Sequence, residues 1–165
     1  MVNCWYVNDC ESAAMWKLHA SEGVAIQSTF GRFVEAIKPS ELEILVGLVK
    51  YLDYETEGWD VGQNPKTIVS IFHKRKSFEH ENELRAAINK PIPSGRYSLA
   101  EGPGYLSSAG LPGIYVEVDL AKLVEKIHVS PGSPPWFQDV VKAVIGFVKL
   151  DGPVIQSKLD DDPVW

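Results

Sequence analysis

Residues 72–85 read FHKRKSFEHENELR: a basic cluster, His73, Lys74, Arg75 and Lys76, runs into the acids Glu79, Glu81 and Glu83 and closes on Arg85. Charged side chains are seldom fully buried unless paired, so this run either coats a solvated surface or lines a polar site. Its second half decides the fold. HENELRAAINK has helical propensity, and as a helix it would pair Glu81 with Arg85 at i, i+4, worth a few tenths of a kcal/mol on a surface. As a strand over 81–88 it would place Leu84, Ala86 and Ile88 on one face and Glu81, Glu83 and Arg85 on the other. The strand is the preferred expectation.

Working outward, Val2 to Val7 is rich in aromatic and β-branched residues and predicts a strand that ends at Asn8 and Asp9. ESAAMWKLHA predicts a helix up to Ala20, with Gly23 beyond its end and a strand over Val24 to Ser28. Phe30, Phe33, Val34 and Ile37 follow the i, i+3, i+4, i+7 pattern of a helix packing one face inward, stopped by Pro39. Leu42 to Leu52 reads as a central strand buried on both faces, and Tyr51 to Asn64 as a loop. Pro65 opens a further helix, with Ile68, Val69, Ile71 and Phe72 on its buried side. Ile114 to Val118 predicts a strand, Asp119 the cap of the helix DLAKLVEK, and Ile127 to Ser130 another strand. Ser133, Pro134 and Pro135 start a helix with Phe137, Val140, Val141, Val144 and Val148 on one face, the pattern of a core helix. Val154 to Leu159 offers a last strand.

Strands and helices mixed without strict βαβ alternation predict an α+β fold, a mixed sheet packed by several helices. The 165 residues fit one domain over 1–165, with a Pro/Gly-rich loop at 91–113 and an acidic tail at 160–165. An apolar fraction of 45% and a charged fraction of 23% match ordinary globular composition. The net charge of −6 and pI near 5.2 argue against a dedicated nucleic-acid binder, which needs a basic face. No apolar run approaches the roughly 20 residues that span a bilayer, and the first residues lack a basic segment leading into an apolar one. No membrane association and a cytoplasmic location are the expectation. Cys4 and Cys10 give neither a disulfide framework nor a zinc-ligand pattern and are expected as reduced thiols.

On a strand, Glu81, Glu83 and Arg85 would lie about 6.5–7 Å apart along one face, with Arg85 gripping one carboxylate in a bidentate pair. A carboxylate so held stays ionised. It could accept a ribose hydroxyl, steady a developing oxocarbenium charge or, if desolvated, act as a base. Lys74 adds positive charge for a phosphate; equally, it could simply pair with the neighbouring acids. A metal is not expected, because Lys and Arg compete for the same carboxylates. Trp16 and His19, three apart on the first predicted helix, would share a face. His19 could move a proton near neutrality, and Trp16 could either fill the core or stack on a ring at the mouth of a pocket.

MWKLHASEGVAI, the strand ending at Lys50 and Tyr51, and FHKRKSFEHENELR together resemble the DUF2971 family of prokaryotic and phage-associated proteins, of which this would be a short member. Met15, Trp16, Gly23, Lys74, Phe78, Glu81, Glu83 and Arg85 match the family pattern, and the resemblance covers most of the chain; His19 stands where the family usually has Tyr. The biochemical function of that family is undefined, so the resemblance strengthens the site rather than a reaction. The leading expectation is a domain that binds, or acts on, a nucleotide-like phosphorylated ligand, with NAD-related glycosidic-bond chemistry as its concrete form. Glu81, Glu83 and Arg85 would be its catalytic groups, and Trp16, His19, Lys74 and Phe78 its ligand-binding ones. The alternative is a non-catalytic module that binds a protein partner. No cofactor follows from the residues.

Overall fold

The computed structural model describes residues 1–57, 70–88, 115–159 and 161–162. In chain order its elements are β1 (Val2–Tyr6), α1 (Ala13–His19), β2 (Val24–Gln27), α2 (Phe30–Ile37), β3 (Ile44–Leu48), β4 (Lys50–Leu52), β5 (His73–Arg75), a 3₁₀ helix (Lys76–Glu81), β6 (Glu83–Ile88), α3 (Leu120–Leu123), β7 (Lys126–Val129), α4 (Pro135–Phe147) and β8 (Val154–Gln156). The fold class is α+β. Among the described residues, helices accompany two three-stranded sheets and one two-stranded pair, with antiparallel and parallel neighbours. Contacts divide the chain into two units, Met1–Asn8 with Leu42–Val116, and Asp9–Glu41 with Glu117–Trp165.

The first unit is organised by β6, which pairs antiparallel with β1 on one edge and β3 on the other. Successive strand residues point to opposite faces. Ala86 and Ala87 are both buried, so both faces of β6 are covered. The strand expected over 81–88 begins at Glu83; Glu81 instead closes the 3₁₀ helix. Asn82, at φ 36°, makes the left-handed turn between the two, a conformation that Asn tolerates better than most residues. Its N–H donates to the Glu79 carbonyl and its side-chain amide to the Val7 carbonyl, which ties the turn to the end of β1.

The Leu42–Leu52 run pairs with two different neighbours. The Val49 N–H donates to the Glu83 carbonyl and the Lys50 N–H to the Phe72 carbonyl. The run therefore pairs with β6 along β3 and then, in parallel, with β5 along β4. Burial is confined to Val49 and Leu52, and Leu48 is exposed. Among the described strands, the run expected to be central and buried on both faces thus stands at the edge of its sheet, and β6 takes the central place. An apolar run reports burial only where neighbours lie on both sides of it. Gly47 stands opposite Arg85, and a Cβ there would lie 3.2 Å from the Phe72 ring. Glycine lets that ring close over the strand.

In the second unit β7 lies between β2, antiparallel, and β8, parallel. Ile127 and Val129 point to one face of β7 and are buried. Helix α2 has the predicted bounds, and the Thr29 side chain caps it by accepting from the Arg32 N–H at 3.3 Å. Phe33 and Ala36 are its buried residues, whereas Phe30, expected to face inward, is exposed. The Arg32 guanidinium donates to the carbonyls of Ala121 and Val124, at 3.0 and 2.9 Å, and so satisfies acceptors that α3 leaves free. Asp119 caps α3 as expected, accepting from the Lys122 N–H at 3.2 Å.

Two expectations fail in this part of the chain. Tyr115–Val118 forms no strand, and Tyr115 is almost wholly exposed. An alternating pattern becomes a strand only where a neighbouring edge pairs with it, and none of the described strands does so here. Helix α4 starts where its prolines predict, with Pro135 in its first turn, but it is not a core helix: none of its residues is buried. Phe137, Val141 and Ile145 are half-buried, while Val140, Val144, Phe147 and the following Val148 are exposed. Its apolar residues span about 200° of the helix circumference, more than one packing face can cover.

The helix expected from Pro65 lies outside the described residues, except that Ser70 and Ile71 are helical. The Gly58–Asn64 part of the expected loop, the 91–113 loop, Ile114, Asp160 and residues 163–165 also lie outside them. Asp161 and Asp162 are exposed. Among the described residues no helix is long and apolar enough to cross a membrane.

The Gly47 contact makes a direct prediction. Gly47→Val should cost about 1–3 kcal/mol through overpacking against Phe72. Gly31→Ala, where a Cβ meets no atom within 4 Å, should instead raise stability by up to about 1 kcal/mol through helix propensity. Thermal denaturation followed by circular dichroism measures both.

Candidate polar site on the central strand

Three elements of the first unit bring the charged run together. Lys74 projects from β5, which its parallel pairing with β4 holds with Tyr51 opposite Lys74. Glu81 comes from the end of the 3₁₀ helix, and Glu83 and Arg85 from one face of β6. The Glu83 carboxylate is the hub, with its side chain only 7% exposed. Arg85 grips it with two nitrogens, Nε to Oε2 at 2.7 Å and Nη2 to Oε1 at 3.2 Å. Lys74 Nζ donates to Glu83 Oε1 at 2.8 Å and also to Glu81 Oε2.

The backbone closes the same cluster. Arg85 Nη1 donates to the Ile71 carbonyl at 2.5 Å, and the Glu83 N–H donates to the Tyr51 hydroxyl at 2.9 Å. Phe78 sets its ring 4.8 Å from the Lys74 ammonium, a cation–π contact. Arg75, the next residue on β5, turns the other way and lies 5.1 Å from the ring of Tyr54.

These contacts decide the protonation of the site. Burial alone would push the Glu83 carboxyl up, but the hydrogen bonds from Arg85 and Lys74 outweigh it and hold the group far below the usual carboxylate range. Burial likewise works against the Lys74 ammonium, and its bonds to Glu81 and Glu83 more than offset it, so Lys74 is raised. Arg85 is raised chiefly by its bond to Glu83. Cys4, an exposed residue, stands opposite Arg85 on β1; partial desolvation and the neighbouring Glu83 push its thiol up, which disfavours the nucleophilic thiolate.

Chemically, the cluster is spent on itself. Two carboxylates face one ammonium and one guanidinium, so its formal charges cancel. A phosphate reaching Lys74 would meet an ammonium that already gives two of its three N–H donors to carboxylates. Glu83 is neither free to act as a base nor set apart from Glu81 as one member of an acid and base pair, because both acids bind the same lysine.

The structure brings together Glu81, Glu83, Arg85, Lys74 and Phe78, five of the seven predicted site residues. Trp16 and His19 belong to the second unit. There Trp16 is buried, and its indole N–H donates to Glu11 Oε2 at 3.0 Å. The other oxygen of Glu11 lies 3.9 Å from His128 Nδ1, and His128 Nε2 lies 2.7 Å from Gln27 Oε1. His19 is exposed at the end of α1. Sequence reasoning did not foresee Cys4, Tyr51 or the Ile71 carbonyl as neighbours of the acids. Strand alternation on β1 and β4 could at most have placed Cys4 and Tyr51 on a face, and nothing in the sequence marks a carbonyl. Among the described residues, an open depression of about 340 Å³ lies in the second unit, where Ser133, Gln138, Gln156, Ser157 and Asp161 are among its lining. None of the predicted site residues lines it.

No known protein family, curated protein or solved structure matches this chain.

Two measurements test the hub. A depressed folded-state carboxyl contributes stability that is complete above the ordinary glutamate value of about 4.3 and is lost as pH falls below it. Stability should therefore drop on acidification below that value, and Glu83→Gln should flatten the drop; urea midpoints across pH give both curves. Arg85→Ala leaves the Glu83 charge buried with one partner gone and should destabilise by about 3 kcal/mol, read from the same titrations.

Proposed function

We propose that this chain is a non-catalytic protein-interaction module, in which the E-x-E-x-R run is a clamp that holds the first unit together. The observation that carries this reading is the uncovered apolar face of α4. Trp136 is 63% and Phe147 88% exposed, and Val140, Val144 and Val148 are each about half-exposed. Apolar patches beyond a few hundred Å² are uncommon on monomers and commonly mark interaction sites. The cluster around Glu83 supports the same reading from the other side, since its buried hub carboxylate is held by Arg85 and Lys74 rather than left to meet a reactant.

A second reading keeps the polar cluster as a ligand site, as the resemblance to DUF2971 implies. It is favoured by one observation: Lys74, Glu81 and Arg85 each keep part of their side chain accessible, at 24, 16 and 15%. A nucleotide-like ligand could approach their heads there beside Phe78.

The two readings predict different outcomes. Val144→Asp and Phe147→Asp should keep the far-UV circular dichroism spectrum and cooperative unfolding of the parent, because the side chains replaced are mostly in water. Loss of folding in both would mean that the face is packed within the chain and would end the interaction reading. In a thermal-shift panel of nucleotides and dinucleotides no compound should move the midpoint. A ligand present at 100 times its dissociation constant would add about 2.7 kcal/mol, and a shift of that kind abolished by Lys74→Ala would establish the second reading instead.

A further inference from the structure

The exposed face of α4 has an internal order that points to a particular partner. Trp136, Val140, Ala143 and Phe147 are spaced four, three and four residues apart, the a/d spacing of a coiled-coil seam. At 100° per residue these four fall within about 60° of one another on the helix surface. All four are exposed, and none is charged. Asp139 lies to one side of this line, and Val144 and Val148 to the other. The side chains that turn toward the rest of the unit, Phe137, Val141 and Ile145, lie farther round, so the seam is not the helix's own packing face.

The spacing four, three, four reads the same in both directions. Two antiparallel copies of α4 related by a two-fold axis would set Trp136 of each copy against Phe147 of the other, and Val140 against Ala143. The large side chains then meet at the two ends, and the small ones lie at the centre, where the helices must come closest. A two-fold interface needs this self-complementarity, because the same patch serves on both sides.

Area and charge agree. The two largely exposed aromatics and Val140 of the seam, with Val144 and Val148 flanking it, present on the order of 500 Å² per copy, against roughly 800 Å² per partner in a standard interface. The seam and this flank together supply over half of that area, which suits a protein surface rather than a small ligand. A chain with a net charge of −6 repels its own copy wherever charges meet, and this stripe carries none.

We propose that the chain forms a two-fold homodimer through antiparallel pairing of α4, with Trp136, Val140, Ala143 and Phe147 as its seam. This rests on the interaction reading above and names its partner as a second copy. The test is sedimentation velocity with light scattering on the full chain, from low micromolar to near-millimolar protein. The mass should rise from 18.3 kDa toward twice that value with concentration. Ala143→Glu puts a carboxylate beside the axis on both copies and should hold the protein at the monomer mass. Val140→Ser should weaken association at least tenfold, and Phe30→Ser, at an exposed apolar residue of α2, should leave it unchanged.

A parent chain that stays at 18.3 kDa throughout, or a dimer that survives Ala143→Glu, overturns the proposal. So does loss of folding in both Ala143→Glu and Val140→Ser, since the seam would then be packed inside the chain. A monomeric parent whose Val144→Asp and Phe147→Asp variants still fold separates the two ideas: the homodimer fails, and the interaction reading stands with a different partner.

Discussion

The first unit depends on one buried carboxylate. Glu83 opens the central strand, and its side chain gathers the strand itself through Arg85 and the β5 strand through Lys74. Lys74 then binds Glu81 and so carries the tie on to the 3₁₀ helix. The backbone N–H of Glu83 engages Tyr51 on β4, and its carbonyl accepts from Val49. A carboxylate removed from water is costly unless its lone pairs are met by donors of opposite charge, and here both oxygens are met. Moving any of these strands out of register would leave that charge partly uncompensated, so the pairing of the ions and the pairing of the strands enforce each other. The tight approach of Phe72 to Gly47, opposite Arg85, belongs to the same constraint, because a side chain at that position would lift the ring off the strand.

The molecule divides its polar and apolar resources in an unusual way. Within the densest charged run, Lys74, Glu81, Glu83 and Arg85 turn inward and neutralise one another, while Arg75, Lys76 and Glu79 stay exposed. The most regular apolar helix, α4, is turned outward over much of its surface. Either feature alone has a bland explanation, a structural ion cluster or a few surface valines. Together they are the observations on which the proposed interaction reading rests. The arrangement also explains why a charge-based search for a site leads to the clamp: charge density in a sequence marks ion pairs that stabilise a fold as readily as groups that meet a ligand.

The sequence was most legible where structure is local. The bounds of α2, the Asp119 cap of α3 and the proline start of α4 all follow from signals contained within one or two helical turns. The strand at 83–88 was legible too, because alternating acids and apolar residues have only one sensible placement in a sheet. Other features were not legible, each for a physical reason. The Leu42–Leu52 run looked central because apolar content reports burial without saying which edge is paired. Tyr115–Val118 alternates as a strand does, but no described strand pairs with it. Glu81 was assigned to the strand because spacing alone cannot reveal the left-handed turn at Asn82. It nevertheless reached the predicted partner, since the lysine it binds is placed by a different strand.

By itself the sequence determined where α2, α3 and α4 begin, which residues alternate along β6, and that Glu83 and Arg85 share a face. Those properties arise from backbone preferences and side-chain periodicity within a few residues. Only the tertiary structure decided that β6 is central among the described strands, that Lys74 joins the two acids, and that Trp136, Val140, Val144 and Phe147 of α4 are exposed. Each of these depends on which distant segment comes to lie alongside, and the free energy of that choice belongs to the pair rather than to either segment alone.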